Sequence, residues 1–113
     1  MSISYSNEGE AFVENANNYW ENIKNGASRQ ANKGEAANKK IIKNFASSAD
    51  AEFALNTLLT HDSKAGRLSA AAHLLNFPNN ESAISTLVEF RDNDPGLMAV
   101  SAKMILEVSG CSS

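Results

Sequence analysis

Gly66-Arg67-Leu68-Ser69, running on to Leu74-Leu75-Asn76-Phe77, is the middle one of three similar stretches in this chain. The first stretch runs from Gly34 to Phe45 and the third runs from Gly96 to Leu106. Their glycines lie 32 and then 30 positions apart, and each glycine precedes small residues and a later cluster of large apolar residues. A period of this length predicts one supersecondary unit that packs against copies of itself.

The spacing of apolar residues predicts an all-α protein of about six helices in antiparallel pairs, with almost no strand signal. The first helix is expected over about 8–24 and the second from Ser28, as its N-cap, to about Phe45. Gly34 inside the second helix costs up to about 1 kcal/mol relative to alanine, which indicates a close helix contact or a kink. The apolar stripe of the first helix has helical spacings of four, three and four: Phe12, Ala16, Tyr19 and Ile23.

Cap and turn residues delimit the other four helices. Ser47 begins the third helix, in which Phe53 is among the residues expected to be buried. Asp62 or Ser63 caps the fourth, and an asparagine at 79 or 80 caps the fifth, over about 81–91. Asp94-Pro95 is predicted to cap the sixth helix, which Gly110 closes. The expected organisation is one domain over 1–113, with an N-terminal helix over 8–25 and repeat units over about 28–60, 61–93 and 94–110.

Composition is that of an ordinary globular domain, with 42% hydrophobic and 20% charged residues. The first ten residues lack the basic start and apolar core of a secretion signal, and no apolar run approaches the ~20 residues of a membrane span. The single cysteine, Cys111, has no partner for a disulfide. We therefore predict a cytoplasmic protein with no membrane contact and with an unreactive tail thiol.

Charge is distributed unevenly along the chain, whose net charge is −3. Residues 1–23 carry acids only, residues 24–45 are strongly basic, and the remainder is acidic again. Glu10, Glu14 and Glu21 share one face of the first helix and are called the acidic ridge below. The second helix has a basic face that consists of Arg29, Lys33, Lys40 and Lys43.

Catalytic groups are scarce, because the only histidines are His61 and His73. His61-Asp62 is expected to close one helix and cap the next, since a metal site of the His-Asp type needs further ligands in helical register. His73 is expected to be exposed and to be a candidate partner contact. No phosphate-binding glycine loop, Cys-x-x-Cys or Gly-x-Ser-x-Gly motif is present. The sequence predicts no catalytic, cofactor or metal site, and thus no enzyme.

The basic face offers an alternative function, since four cations on one helix could follow a phosphate backbone. The chain as a whole is acidic, however, and no aromatic residue accompanies these lysines to stack on bases. A solvated basic face is the favoured interpretation, and a nucleic-acid partner is the less favoured one.

The segment Asp62–Leu75 resembles a HEAT-type repeat, with an aspartate turn, then a basic residue, then a helix of small residues ending in leucines. The segment Asp92–Ala102 follows the same plan, with Leu97 in place of the usual arginine. Over about 10–110, including Gln30-Ala31-Asn32-Lys33, the chain resembles a small bacterial HEAT-like family of unknown function. The resemblance implies a HEAT-like α-solenoid, a right-handed superhelical stack.

Such families in turn resemble the immunity proteins of contact-dependent inhibition systems. That likeness implies stoichiometric binding of a cognate toxin domain, a nuclease with a basic cleft being the expected kind. The acidic ridge would then face the toxin. A nucleic-acid-binding protein and a generic scaffold are the alternatives. The further candidate partner-binding residues are Arg67, His73, Glu89, Asp92 and Asp94.

Overall fold

The computed structural model describes residues 7–45, 47–78, 80–94 and 96–109, and the regular secondary structure of these ranges is helical throughout. The prediction of an all-α protein with six helices packed in pairs is confirmed. The helices are α1 (Asn7–Lys24), α2 (Ser28–Lys43), α3 (Ser48–Leu58), α4 (Lys64–Leu74), α5 (Glu81–Asn93) and α6 (Leu97–Val108).

The helices pack around α4. α1 lies chiefly against α2, α3 lies against α4, and α5 lies between α4 and α6, while α4 also contacts α1 and α6. The result is a globule of 33 × 32 × 30 Å. The predicted unit over 28–60 would combine α2 with α3, whereas the main neighbour of α2 is α1. The division into repeat units stays a prediction.

Two of the predicted helix starts are confirmed by their hydrogen bonds. The Ser47 hydroxyl accepts from the Asp50 N–H at 3.1 Å, and the Ser63 hydroxyl accepts from the Gly66 N–H at 3.0 Å. Each bond satisfies a backbone donor that the first turn of a helix would leave unpaired.

Two other predicted caps are wrong. α2 begins at Ser28 itself, so its N-cap is Ala27. Asp94 ends α5, and α6 begins only at Leu97, after Gly96 with a φ of 117°. The Asp94 carboxylate instead accepts from the Lys64 ammonium at 3.0 Å, at the start of α4. Pro95, Gly110 and Cys111 lie outside the described residues.

The core lies between α1, α3, α4, α5 and α6. Its largest fully buried apolar side chains are Phe12, Leu55, Leu58, Leu68, Leu74, Leu87 and Leu106. Phe53 was predicted to be buried with Leu58, and this is wrong because Phe53 is 76% exposed. Ala51, Leu55 and Leu58 recur at spacings of four and three on the buried face of α3. Phe53 lies two residues from Leu55, which places it on the opposite side of the helix.

The glycines of the first two repeated stretches mark close approaches to α1. A Cβ at Gly34 would lie 3.1 Å from the backbone oxygen of Asn15, and one at Gly66 would lie 3.0 Å from a methyl carbon of Val13. The prediction of a close helix contact at Gly34 is confirmed. Two of the three repeated glycines are therefore explained by contact with α1, and the third, Gly96, by its positive φ.

Replacing Gly34 with leucine should destabilise the protein by about 1–3 kcal/mol, because the new side chain must push α1 away from α2. The matched control is Ala36→Leu, which adds a larger side chain to an exposed position of the same helix. Urea unfolding of both variants measures the difference. Equal midpoints for the two variants would show that the approach at Gly34 does not limit the packing.

Candidate functional site

A groove runs along α4, with α2 forming one wall along its length and α6 forming the other wall of its larger part. It comprises two neighbouring cavities of about 420 Å³ and 270 Å³, both of which are lined by Lys39, His73 and Asn76. Tyr19 and Trp20 of α1 also line the larger cavity, and Phe77 lines the smaller one. We call this feature the α4 groove.

Helical periodicity explains which residues line the α4 groove. Residues of α2 that lie three or four positions apart contribute one wall, and residues of α6 at the same spacing contribute the other. The floor combines the short side chains of Ser69 and Ala72 with the larger ones of Leu68, His73 and Asn76. The lining from α2, α4 and α6 includes Glu35, Lys39, Ile42, Ser69, Ala72, His73, Met104 and Ile105.

An ion pair connects α2 to α4 across the α4 groove. His73 Nε2 lies 2.9 Å from Glu35 Oε1, and the side chain of His73 is only 11% exposed. Its ring also meets Phe12 edge to face, with 5.7 Å between the ring centres. The prediction that His73 is exposed is therefore wrong. The reason is that α2 and α1 cover the imidazole from two sides.

The hydrogen bond from His73 holds the pKa of Glu35 below its ordinary value. Partial burial of the carboxyl opposes this effect, and the charges of His73 and Lys39 reinforce it. Because the pKa is lowered in the folded protein, the carboxylate stabilises the fold above its unfolded pKa. That contribution is lost as the pH falls through the folded pKa.

Acid titration should show this contribution directly. We expect the free energy of unfolding of the wild type to fall between about pH 5 and pH 3 more steeply than that of Glu35→Gln, which lacks the titrating group. Glu89→Gln is the matched control, since Glu89 is exposed and makes no ion pair among the described residues. If Glu35→Gln follows the wild-type curve, the pair with His73 does not contribute to stability.

The α4 groove has one histidine among its lining residues. His73 directs Nε2 at Glu35, so that nitrogen is not free to face a bound molecule. Ser69 and Ser101 also line the groove, but no hydrogen bond joins either hydroxyl to His73 among the described residues. Within the same ranges, no group of three or more histidine, cysteine or acidic side chains could hold a metal ion.

An exposed apolar stripe on α6 borders the α4 groove and was not predicted from the sequence. Leu97, Val100, Met104 and Val108 are 57%, 53%, 58% and 89% exposed and recur at spacings of three, four and four. The opposite face of α6 is buried through Ala102 and Leu106. α6 therefore has apolar residues on two opposite faces, although Lys103 and Glu107 are exposed as well. In the described structure α6 has neighbours on one side only, so the stripe faces solvent.

The acidic ridge is only partly available to a partner. Glu10 lies 3.2 Å from His61 Nε2, while Glu14 and Glu21 are exposed. The other ring nitrogen of His61 accepts from the Ser63 N–H at 3.0 Å, so Nε2 is the nitrogen that carries the proton and donates to Glu10. His61 therefore connects α1 to the turn before α4, a role that the sequence did not reveal.

The remaining candidate residues lie around α4 and α5, where several are already engaged. Arg67 donates to the backbone oxygen of His61 and lies over the ring of Phe90, at 5.9 Å from its centre. Asp92 pairs with Arg91 at 2.9 Å, and Asp94 pairs with Lys64. Arg67, Glu89 and Asp94 line a separate cavity of about 370 Å³ outside the α4 groove, and Asp92 is not among its lining residues.

The basic face of α2 is exposed as predicted, at Arg29, Lys33, Lys40 and Lys43. Lys39, which was not among the predicted site residues, is also exposed and lines both cavities of the α4 groove. Helical spacing places Lys39 on the same face of α2 as Glu35 and Ile42. That spacing alone does not show that this face lies beside α4. None of the six helices of the described chain has the length and apolar character needed to cross a lipid bilayer.

Comparison with known proteins gives one short family match. The model of the TMP repeat matches residues 20–29 and 42–49. The first segment runs from the end of α1 into the start of α2, and the second runs from the end of α2 into the start of α3. No curated protein and no solved structure matches the chain. The resemblance to a HEAT-like family, and through it to contact-dependent inhibition immunity proteins, is therefore wrong. The similarity of the repeated stretches reflects helical periodicity and, in two of the three, packing against α1, and neither feature identifies a family.

Proposed function

We propose that this protein acts by stoichiometric binding of a partner protein and not by catalysis. The observation that carries the proposal is the exposed apolar stripe of α6 beside the α4 groove. Four large apolar side chains on one helix face are a costly surface to leave in water, and contiguous surfaces of this kind mark interaction sites. A cytoplasmic location and the absence of enzymatic activity are part of the same proposal.

Neutralisation of a cognate bacterial toxin is the narrower form of this proposal. Its support is the acidic ridge, where Glu14 and Glu21 are exposed and could steer a partner with a basic cleft. The family likeness no longer supports it. A toxin partner would have to contact α1, so charge reversal at Glu14 and Glu21 should slow its association and make the rate less dependent on salt.

Nucleic-acid binding through the basic face is the second candidate function. The exposure of Arg29, Lys33, Lys40 and Lys43 on α2 favours it. We expect a salt-sensitive gel shift at 50 mM salt if this function is the correct one. No shift at that concentration, with DNA or RNA of any sequence, would exclude it.

Affinity purification of the tagged protein from cells that naturally produce it tests the main proposal. We expect one partner protein in an equimolar amount, and we expect the double variant Val100→Asp/Met104→Asp to lose it. Both positions are more than half exposed, so the variant should fold normally. The matched control, Ser82→Asp/Ser85→Asp, places two charges on the exposed side of α5 and should retain the partner. Recovery of nucleic acid alone, or of no partner, would contradict the proposal.

A further inference from the structure

We infer that the α4 groove takes an amphipathic helix of the partner, with acidic residues along the edge of that helix that faces α2. The inference rests on the proposed function and adds to it the chemistry of the bound segment. Three observations support it: the shape of the groove, the apolar side chains around its floor, and the different chemical character of its two walls.

The shape of the α4 groove suits a short helix. Its floor runs from Leu68 in α4 to Asn76 in the turn that follows, which at about 1.5 Å per residue is a length of about 12 Å, or about two helical turns. The two cavities lie along this floor and are both open to solvent. Helices that bind in grooves insert large side chains at spacings of three and four, and two neighbouring cavities can accept them.

Ser69 and Ala72 leave room in the floor of the larger cavity between the bulkier side chains of Leu68 and His73. Met104 and Ile105 of α6 and Ile42 of α2 supply apolar contacts above that floor. Methionine is suited to such a wall, since its flexible and polarizable side chain adapts to different partners. The apolar face of a bound helix would therefore lie against α4 and α6.

The two walls differ in charge, and this difference fixes the orientation of the bound helix. Lys39 and Lys43 are exposed on α2 at the edge of the groove. Glu35 lies on the same wall, but its carboxylate is already paired with His73. It therefore neutralises the positive charge of the lysines only in part. The wall along α6 is mainly apolar, through Met104 and Ile105 with Ser101, and Met104 also belongs to the exposed stripe. Carboxylates on one side of an amphipathic helix would pair with the lysines while its apolar face covers the α6 stripe.

A peptide-display selection against the full chain tests this inference. The probe is a library of 18-residue amphipathic helices with apolar residues at a spacing of three and four, in which each flanking position is glutamate or lysine in equal proportion. We expect selected peptides to carry glutamate along one flank. Their affinity should fall at least about tenfold for Lys39→Glu/Lys43→Glu, because two attractive pairs become repulsive. Peptides with lysine on that flank should bind this variant better than they bind the wild type.

The matched control is Arg29→Glu/Lys33→Glu, which makes the same charge change on α2 outside the α4 groove and should leave the affinity unchanged. A selection that enriches lysine or no peptide at all would overturn the inference, as would equal effects of the two variants. Light scattering tests for a different occupant. If the wild type is a dimer and Val100→Asp/Met104→Asp is a monomer, the groove is occupied by a second copy of the chain and the inference is wrong. If the peptide selection fails while a partner protein is still captured through the α6 stripe, the inference is wrong and the proposed function stands.

Discussion

Replacing Phe12 with alanine should lower the free energy of unfolding by about 3–5 kcal/mol. Phe12 is 1% exposed and belongs to the main core cluster, where its ring meets His73 of α4. Its loss leaves a cavity between α1 and α4, which α1 cannot close because Gly34 and Gly66 already hold it at contact distance. Domains are typically stable by about 5–15 kcal/mol, so this loss is a large share of the total and should lower the melting temperature markedly.

Phe53→Ala is the matched control for this experiment. It removes the same side chain from a position that is 76% exposed, and it should change stability by no more than about 0.5 kcal/mol. Thermal and urea unfolding followed by circular dichroism measure both variants. A large loss of stability for Phe53→Ala, or a small one for Phe12→Ala, would contradict the exposure of Phe53 on α3 and the burial of Phe12 on α1.

Asn38→Asp should destabilise the protein at pH 7 by about 3 kcal/mol or more, although the two side chains have nearly the same shape. Asn38 is 1% exposed and lies between α1 and α2. Its amide donates to the backbone oxygen of Phe12 at 3.2 Å, and its oxygen accepts from Asn15 at 3.0 Å. The substitution replaces the donor with a buried negative oxygen that faces a carbonyl oxygen.

The pH dependence identifies the cause of this loss. Burial and the facing carbonyl raise the pKa of the introduced carboxyl in the folded state, so the destabilisation grows as the pH rises above the unfolded value of about 4. Below that value the protonated carboxyl can donate to the Phe12 oxygen, and most of the stability should return. Asn32→Asp, at an exposed position of α2, should show neither effect. A loss that is independent of pH would contradict the assigned role of the Asn38 hydrogen bonds.

The sequence predicted most of the fold because the fold depends on local signals. Helical spacing located α1 to α6, and the hydroxyls of Ser47 and Ser63 marked two helix starts. The cost of a glycine inside a helix correctly indicated a close contact at Gly34. The same signals misplaced Phe53, since a short helix with several apolar residues does not reveal which side faces the core.

The candidate site depended on tertiary packing and was largely missed. The pair between Glu35 and His73 joins residues 38 positions apart in the chain, and neither residue carries a local signal for the other. An exposed apolar face on α6 was not predicted from the sequence. The structure leaves that face uncovered, since no helix of the described chain follows to pack on it. The exposure of the basic face of α2 was predicted correctly, because it follows from helical spacing alone.

Site-specific photo-crosslinking tests most directly whether the α4 groove and the α6 stripe form the partner-binding surface. A benzoylphenylalanine is introduced at Met104, and in a second variant at Ser82 on the exposed side of α5, in cells that naturally produce the protein. We expect one crosslinked partner from position 104, joined through a helical segment with acidic residues, and none from position 82. Equal crosslinking from both positions, or crosslinking from position 82 alone, would contradict it.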